Sequence, residues 1–467
     1  MPRIPKDFNM PLKIIQSASG RISISILVSL GLCGNYAAWG QVGVAQTLSL
    51  SQAIDLALKQ NRNLKLAQLG VVDSEHKKEI ARAAYFPNIK NESSLLHVTE
   101  LAGVDIPAGA FGAPSATGPL PANTLFIGQG SLTAYTSGTG LTQPLSQMFK
   151  IRESNRAAIA DLNTARIQVN ETENDIALKV RQLYYGILIA QSRLRAATEE
   201  ANASQVNAQE SVDAAAQGRA LDVTVLESRA AVLDAKQSAL TQNLQIHDLM
   251  LSLDDLLGLP LNSQLQFEDA IDAAPVSTPS REECIHIAHE QSPEIRKAQQ
   301  AVIKAKAGLG AAKDAYIPDV TGLARYHYQS GVPLLVHNFG TFGFNVSYEL
   351  FDGGRREGEI KDSRTLLSQA ELNLAEVEDQ TAVQVETAFD KVEQLKGMLG
   401  VAEEALAVRT EAARLSDRQF EQNAALASAR AEAHAREASA KASLLETNLN
   451  LFLAQSDLKR AIGQLPR

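Results

Sequence analysis

The chain repeats itself, and that repetition limits its possible folds more than any other feature of the sequence. Residues 56–68, LALKQNRNLKLAQ, align with 287–299, IAHEQSPEIRKAQ. Without a gap, Ala84-Tyr85-Phe86-Pro87-Asn88-Ile89 then aligns with Ala315-Tyr316-Ile317-Pro318-Asp319-Val320, at the same offset of 231. A second block keeps a constant offset of 205: Leu145 pairs with Leu350, Leu162 with Leu367, Val180 with Val385, Gly218 with Asn423, and Leu257-Gly258 with Ile462-Gly463. Alanine-rich helices resemble one another by composition alone. Paired Tyr-x-Pro motifs and paired turn residues at fixed offsets do not arise that way, so the chain is two copies of one structural plan. The fall in offset gives the first copy 26 extra residues between Pro87 and Pro144. They surround IPAGAFGAPSATGPLPAN, a Gly/Pro/Ala loop, and surface loops tolerate such insertions.

Each copy reads as helix, strand, strand, long helix, shorter helix. In the first copy a helical pattern over 49–84 ends before Pro87. Strands are predicted over about 88–101 and 124–145, then a long helix over 146–217 and a shorter one over 221–257. The second copy has a helix over 280–315, strands over 319–330 and 340–351, a long helix over 354–422 and a shorter one over 426–462. Ile176, Val180, Leu183, Ile187 and Leu194 fall on heptad steps, as do Leu226, Leu233, Leu240 and Leu244. At 1.5 Å per residue the long helices reach roughly 105 Å and the shorter ones roughly 50–55 Å. Two short helices stacked end to end would match one long one, which describes a rod and not a compact globule. The predicted organisation is a leader over 1–45, a first repeat over 46–260, a linker over 261–279 and a second repeat over 280–467.

The strands bear on the compartment. Thr341 to Leu350 alternates polar and apolar residues, placing Phe342, Phe344 and Tyr348 on one face. Val320 to Tyr328 does the same, with Ala324, Tyr326 and Tyr328 on one face and Arg325 and His327 on the other. Runs of about ten residues suffice for tilted strands to cross a bilayer, and aromatics on the apolar face fit an interfacial girdle. A small soluble sheet capping a coiled coil is the alternative. The strands of the first copy alternate less cleanly. Four strands are too few to close a membrane barrel, and open edges in lipid leave backbone groups unpaired. Membrane-spanning strands in this chain therefore require oligomerisation, and three copies would supply twelve.

The N-terminus reads as an export leader. Arg3, Lys6, Lys13 and Arg21 precede an apolar run from Ile22 to Leu32, too short to span a bilayer. Ala38-Trp39-Gly40 and Gly43-Val44-Ala45 are candidate cleavage sites; a lipid anchor on Cys33 is disfavoured by Leu32 before it. Cys284 would then be the mature chain's one thiol. A net charge of −9 argues against a nucleic-acid partner. The cluster Cys284, His286, His289 and Glu290 lacks the H-E-x-x-H spacing, and no catalytic or phosphate-binding motif is present, so neither enzyme activity, metal nor cofactor is expected.

With these residues in hand, the chain resembles the TolC-like outer membrane efflux proteins over about 47–465. The resemblance rests on the order and spacing of the duplicated plan, the Tyr-x-Pro motifs, Gln143-Pro144-Leu145, Glu349-Leu350-Phe351-Asp352-Gly353-Gly354, the Gly218 break and the terminal Leu-Gly and Ile-Gly pairs. It implies a homotrimer with a twelve-stranded outer-membrane barrel continued by an α-helical barrel across the periplasm. It also implies a passive channel of a tripartite efflux or type I secretion system, working with a periplasmic membrane-fusion adaptor and an inner-membrane transporter. The turns at 218–222 and 422–426 would be the tips that meet the adaptor and narrow the pore, with Gly218, Arg219, Asp222, Asn423 and Glu432 as contact or gate residues. The family tends to have glycine at both turns; Asn423 departs from that, although asparagine tolerates a left-handed turn. Asp222 and Glu432 also read as ordinary solvated helix residues. The alternative function is a periplasmic coiled-coil scaffold or adaptor without a pore.

Overall fold

A computed structural model describes residues 46–100, 102–128, 130–261, 263, 265–268, 279–331 and 336–464. The expected leader and most of the expected linker lie outside the described residues. The first copy comprises β1 (Gln46–Leu48), α1 (Leu50–Gln60), α2 (Arg62–Ala83), β2 (Asn88–His97), β3 (Gly103–Ile106), β4 (Leu125–Gly128), β5 (Thr133–Pro144), α3 (Met148–Ala216) and α4 (Asp222–Leu257). After β6 (Leu265–Phe267), the second copy follows as α5 (Arg281–Gln291), α6 (Pro293–Lys313), β7 (Asp319–Ser330), β8 (Asn338–Ser347), α7 (Arg355–Glu421) and α8 (Ala427–Ala461). At 69 and 67 residues, α3 and α7 are each about 100 Å long.

Two expectations need correction. The helices read over 49–84 and 280–315 are each broken, at Asn61 and Ser292, which correspond in the two copies. Both residues adopt extended backbone, with ψ of 128° and 126°. The Asn61 carboxamide oxygen accepts from the N–H groups of Asn63 and Leu64 at 2.9 and 3.3 Å and so caps α2. At the other break, Pro293 occupies the first turn of α6, where its missing N–H costs nothing. The strand read over 124–145 is also divided. Its first part, β4, pairs only with β3 as a hairpin, and β5 begins at Thr133. The strand read over 88–101 ends at His97, and that read over 340–351 runs from Asn338 to Ser347.

The principal sheet is antiparallel with order β2-β5-β7-β8, so the two copies meet at β5 and β7. The helices form an equivalent strip. On the strand side the packing order is α2-α3-α6-α7, and toward the tips it is α4-α3-α8-α7. In the helical layers α3 of the first copy sits against α6 and α8 of the second, as β5 sits against β7 in the sheet. The outer edges are β2, α2 and α4 on one side, and β8 and α7 on the other.

Two buried clusters hold the middle of this strip, and they are copies of each other. One contains Ala53, Ala57, Val180, Ile187, Leu253 and Leu257; the other contains Cys284, Ala288, Val385, Val392, Leu458 and Ile462. The α3 heptad residues Ile176, Val180, Leu183 and Ile187 lie in the first, as their spacing requires. Tyr184 fixes the parallel pair β1–β6 onto it, donating its hydroxyl to the Leu48 carbonyl at 3.0 Å and meeting Phe267 edge-on at 5.3 Å.

Candidate channel wall and helical tips

The ladder registers sort the sheet into two faces. Ala324 pairs with Phe342, Gly322 with Phe344 and Val320 with Val346 across β7 and β8, while Tyr326 and Tyr328 follow on the same face. Tyr135 and Leu141 of β5 and Ile89 and Leu95 of β2 continue this apolar face by register. Phe342 and Phe344 are 89% and 76% exposed. Four of the five expected membrane-strand aromatics, Tyr326, Tyr328, Phe342 and Phe344, thus share one surface. Tyr348 does not lie on a strand; it follows β8 at the corner leading into α7. There the Arg356 guanidinium sits 5.1 Å from the ring centres of both Tyr348 and Tyr316, the tyrosine of the second Tyr-x-Pro motif.

Asp352 completes that corner. Its carboxylate accepts from the Gly354 N–H at 3.0 Å, the Arg356 N–H at 3.2 Å and Arg356 Nε at 2.6 Å. The Arg356 side chain above all lowers its pKa to about 2. The ion pair and the free N–H groups at the start of α7 therefore fix how the strand hands over to the long helix.

The poor alternation in the first copy has a physical reason. Asn91, Ser93 and His97 stand on the aromatic face of β2, opposite Thr139, Ser137 and Thr133 of β5. They bond in pairs: Asn91 Nδ2 donates to Thr139 Oγ1 at 2.8 Å, the Ser93 and Ser137 hydroxyls lie 2.9 Å apart, and His97 Nδ1 lies 2.9 Å from Thr133 Oγ1. Cross-strand pairing satisfies these groups within the sheet. The opposite face carries Lys90, Glu92, Arg325, His327 and Gln329, with Leu323 and Phe339 among them, and Lys90 and Glu92 were not singled out from the sequence.

At the other end of the helices, α3 and α7 both stop on left-handed residues. Gly218 has φ 70° and Asn423 φ 57°, and Asn423 is the one non-glycine with positive φ among the described residues. The bonding is the same at both. Arg219 N–H donates to the Ala214 carbonyl and Gly218 N–H to Ala215; Ala424 N–H donates to Gln419 and Asn423 N–H to Phe420. This doubly bonded turn satisfies the last free carbonyls and needs a left-handed residue at one position. Asn423 therefore supports the same turn as Gly218.

The acids expected near the gate have ordinary helical surroundings. Asp222 opens α4, where a negative charge favours the helix N-terminus. Glu432 is exposed on α8 and paired with Arg436 one turn on. The residues that begin α4 and α8 were missed. Leu221 and Leu426 occupy the N-cap positions, where a polar side chain normally stands, and are 72% and 66% exposed. An uncapped leucine at two equivalent turns was a legible signal. The α8 N-terminus is instead capped from α3, where Glu210 accepts the Ser428 N–H at 3.0 Å. Nearby, Asp417 bonds His434 at 2.9 Å and Arg430 at 2.7 Å, and these contacts, His434 first, hold its carboxyl below the usual range.

Cys284 is buried, whereas His286 and His289 are exposed and face Glu290 and Glu378. Among the described residues no group of three or more His, Cys, Asp or Glu could hold a metal ion, and no helix is long and apolar enough to cross a membrane.

A sheet with one aromatic face, carried on helices about 100 Å long, is the fold of the TolC-like channels. It matches CmeC, the outer membrane channel of Campylobacter jejuni, with a TM-score of 0.72 at 16% identity, over 89% of this chain and 85% of that one. It matches VceC, an outer membrane protein of Vibrio cholerae, with a TM-score of 0.68 at 16% identity, over 89% of this chain and 96% of that one. The toluene efflux pump outer membrane protein TtgF of Pseudomonas putida is 23% identical over 353 residues, 73% of this chain. The chain spans 66% of the length of that curated relative. The outer membrane efflux protein family matches residues 53–259 and 284–464, and the chain belongs to it.

Proposed function

We propose that three copies of this chain form one outer-membrane efflux channel, a twelve-stranded barrel in lipid continued by an α-helical barrel across the periplasm. Its repeats would be 46–260 and 280–467, joined by 261–279, after export directed by 1–45. The observation that carries this reading is that every layer is an open strip of four elements whose edges lie on the same two sides. One rotation about a common axis would pair β8 with β2 and α7 with α2 and α4 of the next copy, leaving no edge. Both helical edges carry exposed apolar heptad residues: Leu226, Leu233 and Leu240 on α4, and Val401, Val408 and Leu415 on α7. A family named for outer membrane efflux supports the same assignment.

In this reading Tyr326, Tyr328, Phe342 and Phe344 face lipid, and Tyr348 marks the periplasmic boundary. The conduit is passive, and energy enters from an inner-membrane transporter joined through a periplasmic membrane-fusion adaptor. Gly218, Arg219, Asp222, Asn423 and Glu432 form the tip region, and exposed Leu221 and Leu426 supply apolar surface for the adaptor. Solubilising the outer-membrane fraction in mild detergent and determining its mass and shape tests this. A trimer with a rod of about 100 Å beyond the detergent belt is expected. A monomer free of the membrane would overturn it in favour of a periplasmic scaffold.

A further inference from the structure

The polar face of the sheet carries a charge arrangement that a passive conduit does not require. In β7, Arg325 and His327 stand on this face, and their register partners in β5 are Gly140 and Gly138. With no side chains there, Arg325 runs flat across β5. A Cβ at Gly138 would lie 2.7 Å from Arg325 Nε and 2.8 Å from its Nη2, so any side chain there would push the guanidinium off this track. The guanidinium reaches β2, where Nη2 donates to Glu92 Oε2 at 3.1 Å. Lys90 Nζ holds the other carboxylate oxygen at 2.7 Å.

Two cations therefore share one carboxylate, and one positive charge per chain is left over at the middle of this face. The remaining acid on the face, Asp319 at the start of β7, is matched by Lys150 at 3.3 Å. Arg325 Nε is buried and makes no hydrogen bond. His327 stacks on Phe339 at 4.7 Å and adds ring N–H capacity beside Arg325. This positive zone lies in a chain of net charge −9, so it is not a consequence of overall composition.

Resting on the trimeric reading, in which the polar face lines the lumen, we propose that the inner wall of the barrel is a polyanion-binding ring. Arg325 is its determining residue, with Lys90 and His327 as accessory donors. Three copies place three such clusters around one lumen, and a low-dielectric wall focuses their field. The planar guanidinium presents paired donors suited to oxyanions. The ring takes solutes bearing several carboxylate, sulfonate or phosphate groups and slows or concentrates them in transit.

The test is calorimetric titration of tripolyphosphate into the full-length, detergent-solubilised protein at low ionic strength, with mass determined on the same sample. Wild type binds, and the affinity falls as salt is raised. Arg325→Gln weakens binding about tenfold, as expected for loss of a charge-assisted contact. Arg325→Lys, which keeps the charge but not the paired donors, falls between wild type and Arg325→Gln. Glu92→Gln removes the shared counter-charge and tightens binding, a change that disruption of the sheet would not produce. A trimer that binds no tripolyphosphate, or one whose affinity is unmoved by Arg325→Gln, overturns the ring alone. A monomer overturns the channel reading and the ring with it.

Discussion

Asn423 shows how one residue can depart from a pattern while keeping its geometry. It occupies the position that glycine fills at Gly218, Gly258 and Gly463, with φ of 57°. An L-residue there costs roughly 1 kcal/mol, and asparagine less than alanine. Asn423→Ala should open the last turn of α7 by about 1 kcal/mol, and Asn423→Gly should close it, read by hydrogen exchange at the turn. Leu221→Ser and Leu426→Ser supply proper caps and so should leave the melting temperature no lower than that of the parent. Efflux in cells should fall with both if, as proposed, the exposed leucines meet the adaptor. Asp352 makes a pH statement. Its pKa of about 2 lies below the ordinary 3.8, so its contribution is complete above the ordinary value. It is lost as pH falls from about 4 through about 2. The stability gap between the parent and Asp352→Asn should therefore be constant near neutrality and close across that window, as followed by thermal unfolding.

The α4 helix has two apolar faces, and only one is used within the chain. Val232, Ala235 and Ile246 are buried, while Leu233 and Leu240 are 67% and 71% exposed. The heptad leucines read from the sequence as a seam were thus correctly spaced, but they lie on the outer face of α4. Leu233→Glu combined with Leu240→Glu should leave the single chain folded, since neither side chain is buried in it. The same pair should abolish the proposed trimer, in which burying two leucines would contribute about 3 kcal/mol or more per chain. Size-exclusion chromatography with light scattering would show the change. The split of the predicted strand into β4 and β5 has a related cause: the extra loop residues of the first copy fold back as their own hairpin.

For the whole molecule, the proposed trimer would close the sheet and both helical layers in one event, because their open edges lie on the same sides. A trimer built this way should not lose its barrel while keeping its helical tube. Thermal unfolding should be a single transition whose midpoint rises with chain concentration, because dissociation and loss of structure are coupled. Two separate transitions, or a midpoint independent of concentration over a hundredfold range, would show that the chain closes its edges some other way.

The sequence by itself determined the duplication, the long and short helices, the tip turns and the strands of the second copy. Each of these rests on local physics: heptad spacing, left-handed turn residues, prolines and strict alternation. It also held the breaks at Asn61 and Ser292 in its capping residues, although the helices on either side read as continuous. The tertiary structure decided which face of α4 is spent inside the chain and that β5 pairs with β7 across the copies. It alone showed that polar groups on the aromatic face of β2 and β5 satisfy one another. Only the folded sheet laid Arg325 over Gly138 toward Glu92. Periodicity identifies a residue's face, but contact depends on which element lies opposite, and residues far apart in the chain settle that.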